Sequence, residues 1–361
     1  MTTHQPGVLL RRFLHFIVPI VTVPIIFILS TFIGLKQFIL SFITICDSED
    51  KHVVISGCDS GFGEIVAKKL LEKKFFVHTG CFSKTGQASL KQYGKERQSE
   101  KLQVFPLDIT SDESVSAATN AVMEKVPSKE IWALINNAGT GCGGAFERWR
   151  TVGEYENIMN INFFGHVRMT QAFLPFISNS IDRSRLVFVS SIYAVIPSEY
   201  FAPYIASKHA LLGYAKSLRL EKLPVVIVSP GFHPTNLVNI ERVSTTMKER
   251  WSKLPTDVKL ADGIININKH VNLLQRSVDV PLKWNHSEDV AKAILSAVLS
   301  RWPVDHTWVG IDAALIRFVC SLPEHSTEAF TSVFHVLLKL RRLFRRTVEK
   351  KKSKRTKNLC N

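Results

Sequence analysis

A chain of 361 residues with 45% hydrophobic content has the composition of an ordinary globular protein, with room for one large core or two small ones; one core with terminal extensions is expected. Its formal charge of +15 is concentrated, because residues 339–357 hold eleven Lys or Arg against one acid, Glu349, and the remaining body is nearly balanced. No nucleic-acid reader motif or aromatic interleaving accompanies that tail, so nucleic acid is not an expected partner; the tail instead suits anionic lipid head groups or a solubilising end.

Residues 13–35 contain no Asp, Glu, Lys or Arg and are dominated by Phe, Ile, Val and Leu. The run exceeds the roughly 20 residues that cross a bilayer core as a helix. It is expected to be an uncleaved membrane anchor, with Arg11 and Arg12 favouring a cytoplasmic N-terminus. Lys36 interrupts the run, and the apolar stretch 38–46 leaves open a second, re-entrant segment. The chain thus divides into an N-terminal segment (1–50), a main domain (51–322) and an extension with the basic tail (323–361).

After residue 50, short apolar runs alternate with amphipathic stretches. Strands are expected at 53–56, 75–78, 102–106, 132–136, 186–190 and 225–229, with a helix over 64–74 and helix-length segments between the others. Strict alternation predicts an α/β, single-domain, doubly wound parallel sheet of the Rossmann-like kind, with ligands beyond the carboxyl ends of the strands. The six cysteines form no CxxC pair and no His-linked spacing, so neither a metal site nor a disulfide framework is expected.

Directly after the first strand comes Gly57-Cys-Asp-Ser60-Gly61-Phe62-Gly63, then a helix. Glycines there allow a tight turn and close approach of a pyrophosphate to the helix N-terminus. Further on, Tyr204 and Lys208 stand one helical turn apart on one face. A cation at Lys208 is expected to favour the phenolate of Tyr204 and to lower its pKa toward the range of a general acid/base.

With GCDSGFG (57–63), LDIT (107–110), NNAG (136–139), INFFG (161–165), SS (190–191), YxxxK (204–208) and PG (230–231), the chain resembles the short-chain dehydrogenases/reductases over roughly residues 51–310. GCDSGFG, IWALINNAG and LPE (322–324) are most similar to its membrane-bound retinol and 17β- or 3α-hydroxysteroid dehydrogenases. The resemblance implies that Gly57, Ser60, Gly61, Phe62 and Gly63 cradle a dinucleotide pyrophosphate and that Asp108 meets the adenine. It implies that Asn136, Ala138 and Gly139 line the cofactor cleft, and that Pro230, Gly231 and Thr235 receive the nicotinamide carboxamide.

The resemblance also assigns catalysis to four residues. Asn162 holds a water in a proton relay, Ser191 hydrogen-bonds the substrate oxygen, and Tyr204 is the general acid/base. Lys208 binds the nicotinamide ribose. Ser191 is chosen over Ser190 because it lies thirteen residues before Tyr204.

Two departures accompany the match. No acid follows the second strand to bind a ribose 2′-hydroxyl, and Lys84 there suits a 2′-phosphate; the subgroup's habit still favours NAD, with NADP left open. Ala194 stands where glycine is common, and a positive φ there would strain it. The expected activity is NAD(P)-dependent interconversion of a hydrophobic alcohol, retinol-like or hydroxysteroid, and its carbonyl at a membrane, in the endoplasmic reticulum. A non-catalytic lipid- or dinucleotide-binding scaffold is the alternative, and 3-hydroxybutyrate dehydrogenase a lesser enzyme one. A homodimer is left open.

Overall fold

The alternating runs pair into seven strands, all parallel, in the order β3-β2-β1-β4-β5-β6-β7. The computed structural model describes residues 29, 31–45, 48–178, 184–233, 240–261, 271–272 and 285–320. The strands are β1 (His52–Ser56), β2 (Phe76–Cys81), β3 (Leu102–Pro106), β4 (Ala133–Asn136), β5 (Arg185–Val189), β6 (Val225–Pro230) and β7 (His306–Val309). The helices are α1 (Gly61–Glu72), α2 (Lys84–Glu96), α3 (Asp112–Met123), α4 (Val152–Met159), α5 (Gly165–Phe173), α6 (Ala202–Leu220), α7 (Ile240–Lys253), α8 (Thr256–Ala261), α9 (Ser287–Leu299) and α10 (Ile311–Cys320).

Two-faced burial follows from the near-continuous apolar strands. Val53 and Ile55 of β1 point to one face, with Val66 and Leu70 of α1 and Val290, Ile294 and Val298 of α9. Val54 points to the other, with Val115 and Val122 of α3, Met169 and Phe173 of α5 and Leu211 of α6. This is a single-domain, Rossmann-like α/β fold. Its strand order reverses between β1 and β4, which opens a crevice at their carboxyl ends.

Six strands fall at or within a few residues of their expected places. Helix α1 begins inside the glycine turn, three residues before the expected start at 64. The seventh strand was not expected: the apolar stretch 308–322 divides into the end of β7 and α10. Only four residues long and mostly half-buried, β7 carries little periodic signal.

Residues 31–40 form a further helix, with Phe32, Ile33, Leu35, Phe38 and Ile39 exposed. It leads into a short tie at the amino end of the sheet. Ile45 N donates to Leu299 O (2.8 Å), Arg301 N donates to Ile43 O (2.7 Å), and Thr44 bridges Ser300. Among the described residues, no helix is long and apolar enough to cross a membrane. Most of the 13–35 run, the basic tail and the whole 323–361 extension lie outside the described residues.

The same end of the sheet holds a fully buried arginine. Arg185 Nη1 donates to Ala297 O (3.0 Å), Val298 O (2.7 Å) and Ser300 O (2.7 Å), at the C-terminus of α9. Its guanidinium lies 4.0 Å from the centroid of the Trp132 ring. Helix-end carbonyls carry partial negative charge, so they compensate the cation. Arg185→Met is expected to cost about 3 kcal/mol, because it leaves buried carbonyls unpaired. A thermal melt checks this, and an unchanged midpoint would refute it.

Candidate active site

The crevice begins where β1 ends. Gly57 has a φ of 72°, and a Cβ added there would lie 2.5 Å from Ala138 Cα. A Cβ on Gly63 would lie 2.3 Å from Gly57 O. Only glycine permits this packing of turn, helix and β4. Ser60 caps α1 with extended backbone and no side-chain hydrogen bond to the helix amides. Those amides suit a pyrophosphate, so the turn fits the dinucleotide that the motifs imply.

The turn is braced by residues that sequence reasoning did not assign. Asn137 Nδ2 donates to Ser56 O (3.1 Å) and Gly57 O (2.9 Å), while Ser56 Oγ accepts from the backbone amides of Asn137 and Ala138 (3.2 Å each). Asn136, expected to line the cleft, is instead fully buried and donates to Thr170 Oγ1 of α5 (3.0 Å). Even-numbered β4 residues face the layer of α3, α5 and α6, and this alternation sets the Asn136 side chain against α5. Asp108, two residues past β3, accepts from Thr110 N (2.9 Å) and Thr110 Oγ1 (2.7 Å).

Four further side chains converge at the carboxyl end of β5. A π-helical turn, Asn160–Phe164, joins α4 to α5 and buries Asn162. Its Oδ1 accepts from Thr140 N (2.8 Å), and its Nδ2 donates to Thr140 O (2.9 Å) and Ser207 Oγ (3.1 Å). Such turns recur at functional sites because they displace a residue from the helical register. Ser191 follows β5 and hydrogen-bonds the Tyr204 hydroxyl. Ala194 lies within a 3-10 turn, Ile192–Ala194, and needs no positive φ, so alanine strains nothing there.

Tyr204 and Lys208 occupy one buried face of α6. Lys208 Nζ donates to Val189 O (3.2 Å) and stands 5.7 Å from the centroid of the Tyr204 ring. A Cβ on Gly139 would lie 3.4 Å from Asn162 Oδ1 and 3.8 Å from Lys208 Nζ, so all three meet at one wall. Contrary to the expectation, burial pushes the Tyr204 pKa well above its ordinary value, opposed only by the bond to Ser191. Burial also lowers Lys208 to about 8. Spacing shows the nearby cation but not the loss of water around both groups, which here is the larger effect.

That loss has a measurable sign. Between about 8 and the ordinary lysine value of 10.5, Lys208 is neutral in the folded chain and protonated in the unfolded one. Stability therefore rises with pH across that interval, and below it the full cost of burying the charge is present. Lys208→Met is expected to melt at a higher temperature than the parent at pH 7, with the gap narrowing above pH 8, and to lose turnover. A lower melting point at pH 7 would overturn this.

The short chain dehydrogenase family signature matches residues 51–245. The chain is 34% identical to a 3beta-hydroxysteroid dehydrogenase of Caenorhabditis elegans, over 76% of this chain and 72% of that one. It is 32% identical to retinol dehydrogenase 7 of Mus musculus, over 64% of this chain and 72% of that one. The chain is a short-chain dehydrogenase/reductase.

It is an NAD(P)-dependent alcohol oxidoreductase. Solved structures share the fold: a short chain dehydrogenase/reductase from Burkholderia phymatum in complex with NAD superposes with a TM-score of 0.58 at 22% identity, covering 74% of this chain and 92% of that one.

In this dehydrogenase the turn after β6 is held from far along the chain. Asp312 of α10 accepts from Phe232 N (2.7 Å) and from Asn285 Nδ2 (2.8 Å), and Asn285 Nδ2 also reaches Phe232 O (2.8 Å). A Cβ on Gly231 would lie 2.1 Å from Asp312 Oδ1, which explains the glycine after Pro230. Neither Asn285 nor Asp312 belongs to a motif legible in the sequence. Thr235 lies outside the described residues.

The wall around Tyr204 is apolar. Cys142, Ile158 and Tyr193 are buried with it, and Phe201, Ile205 and Phe232 pack against them. Helix α7 packs Val243 and Met247 on Trp149 and Phe146, alongside this wall. Arg150 fastens the pieces together. It donates to Glu154 Oε2 (2.9 Å), Gly143 O (3.2 Å) and Tyr200 O (2.5 Å), while Arg250 of α7 also reaches Glu154 (2.7 Å). Cys58, Cys81 and Cys142 are free, buried thiols.

Proposed function

We propose that this dehydrogenase interconverts a hydrophobic secondary or allylic alcohol, of the hydroxysteroid or retinoid class, and its carbonyl. The observation that carries the reading is the apolar packing of the Tyr204 side chain, whose hydroxyl bonds Ser191, in a cluster with Ile158 and Tyr193 against which Phe232 packs. Such a wall repays burial of hydrocarbon and offers little to a small charged acid. The names of the hydroxysteroid and retinol dehydrogenase relatives support the same class.

On reduction, the Tyr204 hydroxyl gives its proton to the carbonyl oxygen; on oxidation, the deprotonated Tyr204 takes the alcohol proton. Ser191 Oγ hydrogen-bonds the same oxygen. Lys208 holds the cofactor ribose and Asn162 steadies the wall through which protons are exchanged. When bound, the nicotinamide supplies or accepts the hydride.

NAD is the favoured dinucleotide. Asp59, in the glycine turn, accepts from Ser83 N (2.6 Å) and Phe82 N (3.0 Å) just past β2. Its carboxylate puts negative charge where a 2′-phosphate would need a cation, whereas Lys84 is exposed at the start of α2. Membrane anchorage through the 13–35 run is part of the reading, with the exposed apolar side chains from Leu29 to Ile43 continuing it.

The test is turnover of retinoids, hydroxysteroids and short hydroxy acids with NAD and with NADP, using microsomes that contain the chain. Activity on retinoids or steroids with NAD is expected. Activity confined to short hydroxy acids would overturn the substrate class, and a strong NADP preference would overturn the cofactor.

A further inference from the structure

Three buried side chains recur every four residues along the helical stretch that follows α4: Asn162 in the π-helical turn, then His166 and Thr170 in α5. Each holds a residue of the chain in or just past β4, and those residues recur every two in the opposite order. Asn162 binds both backbone groups of Thr140, His166 reaches Ala138 O, and Thr170 accepts from Asn136 Nδ2. Four helical residues advance about 6 Å and two extended ones about 6.6 Å, so the two repeats stay in step.

His166 is the middle rung. Its side chain is buried, and its Nε2 lies 2.7 Å from Ala138 O. A carbonyl oxygen only accepts, so Nε2 carries the proton. Burial, and after it the charge of Lys208, lowers the His166 pKa to about 3, which keeps the ring neutral near neutral pH with its one N–H committed to Ala138.

Ala138 is where two sides of the crevice meet. Its amide donates to Ser56 Oγ (3.2 Å) at the end of β1, and its Cα is the atom that a Cβ on Gly57 would overlap. The next residue, Gly139, borders Asn162 and Lys208. The peptide between Ala138 and Gly139 joins these two contacts, and His166 holds its carbonyl. Rotation of that peptide would shift the seat of the glycine turn on one side and the wall beside Lys208 on the other.

We propose that His166 is a positioning residue: its Nε2–H fixes the Ala138-Gly139 peptide and so keeps the glycine turn and the Lys208 wall at the separation that a dinucleotide spans. The proposal rests on the family's dinucleotide chemistry and not on the substrate class. Failure of the substrate panel would leave it standing, because it is read by cofactor binding.

The test measures NADH dissociation constants by fluorescence, together with thermal melts, on the full chain in detergent. His166→Leu leaves the Ala138 carbonyl unpaired and is expected to melt lower and to weaken NADH about tenfold. His166→Gln, of similar size and with an amide N–H that reaches the same carbonyl, is expected to stay within about twofold of the parent affinity. Thr170→Val removes the neighbouring rung, which holds a side chain set against α5, so it is expected to melt lower while binding NADH as the parent does. Should His166→Leu not fold, His166→Asn, whose amide falls short of the carbonyl, takes its place with the same expectation. Parent-like NADH affinity in His166→Leu, or a loss in His166→Gln as large as in His166→Leu, would overturn the proposal. Weakening in Thr170→Val equal to that in His166→Leu would overturn it too, by reducing His166 to a contributor to stability.

Discussion

Tyr204→Phe is expected to lower turnover about 10³-fold while NADH still binds with the affinity of the parent chain. The substitution removes one oxygen from a ring that stays buried among Cys142, Ile158 and Tyr193, so packing is nearly conserved. The phenol's ordinary pKa is already raised by burial, so in the ligand-free fold it holds its proton firmly. It is thus ready to act as an acid in reduction. Oxidation requires its deprotonation and is expected to fall steeply as the pH drops. Rates for the parent and the variant in both directions check this, and turnover retained by Tyr204→Phe would remove Tyr204 from the chemistry.

Gly57→Ala is expected to have the largest effect outside catalysis. The new Cβ would meet backbone at 2.5 Å in a residue held at a φ of 72°, so strain and overlap act together. Their combined cost is about 3 kcal/mol. It is divided between folding stability and dinucleotide affinity, because relief requires the glycine turn to move away from Ala138. A melting curve and an NADH titration read the two parts. Gly213→Ala is the control: a Cβ there meets nothing within 4 Å inside α6, and the exchange is expected to stabilise by about 1 kcal/mol. Equal behaviour of the two variants would refute the steric account.

Much of the frame was readable because parallel strands buried on both faces are apolar without interruption, as in 53–56 and 225–229. The motif residues Ser191, Tyr204 and Lys208 were readable because short-range spacing on one strand end and one helix fixes their relation. Asn137 was overlooked in favour of Asn136, since a repeated letter does not say which side chain faces the turn; pleat alternation decides it. Ala194 was suspected of strain because a family habit was applied without its backbone conformation. The effect of Lys208 on Tyr204 was overestimated because a sequence shows charge but not desolvation. Asn285 and Asp312 carried no signal at all, as their roles depend on contacts across as many as 80 residues of chain.

The tie from Asp312 to the turn after Pro230 separates the recognisable stretch from the working one. The family signature ends at residue 245, yet the turn that follows β6 takes its carboxylate from α10 and its amide partner from residue 285. A chain cut after residue 300 would retain the motifs from the glycine turn to Pro230-Gly231 and lose Asp312 along with β7. The β6 side of the crevice would then be unsupported while the glycine turn stayed whole. Boundaries drawn for a minimal enzyme therefore belong beyond α10, and substitutions at 285 and 312 bear on the turn after β6 as directly as those at Pro230 and Gly231.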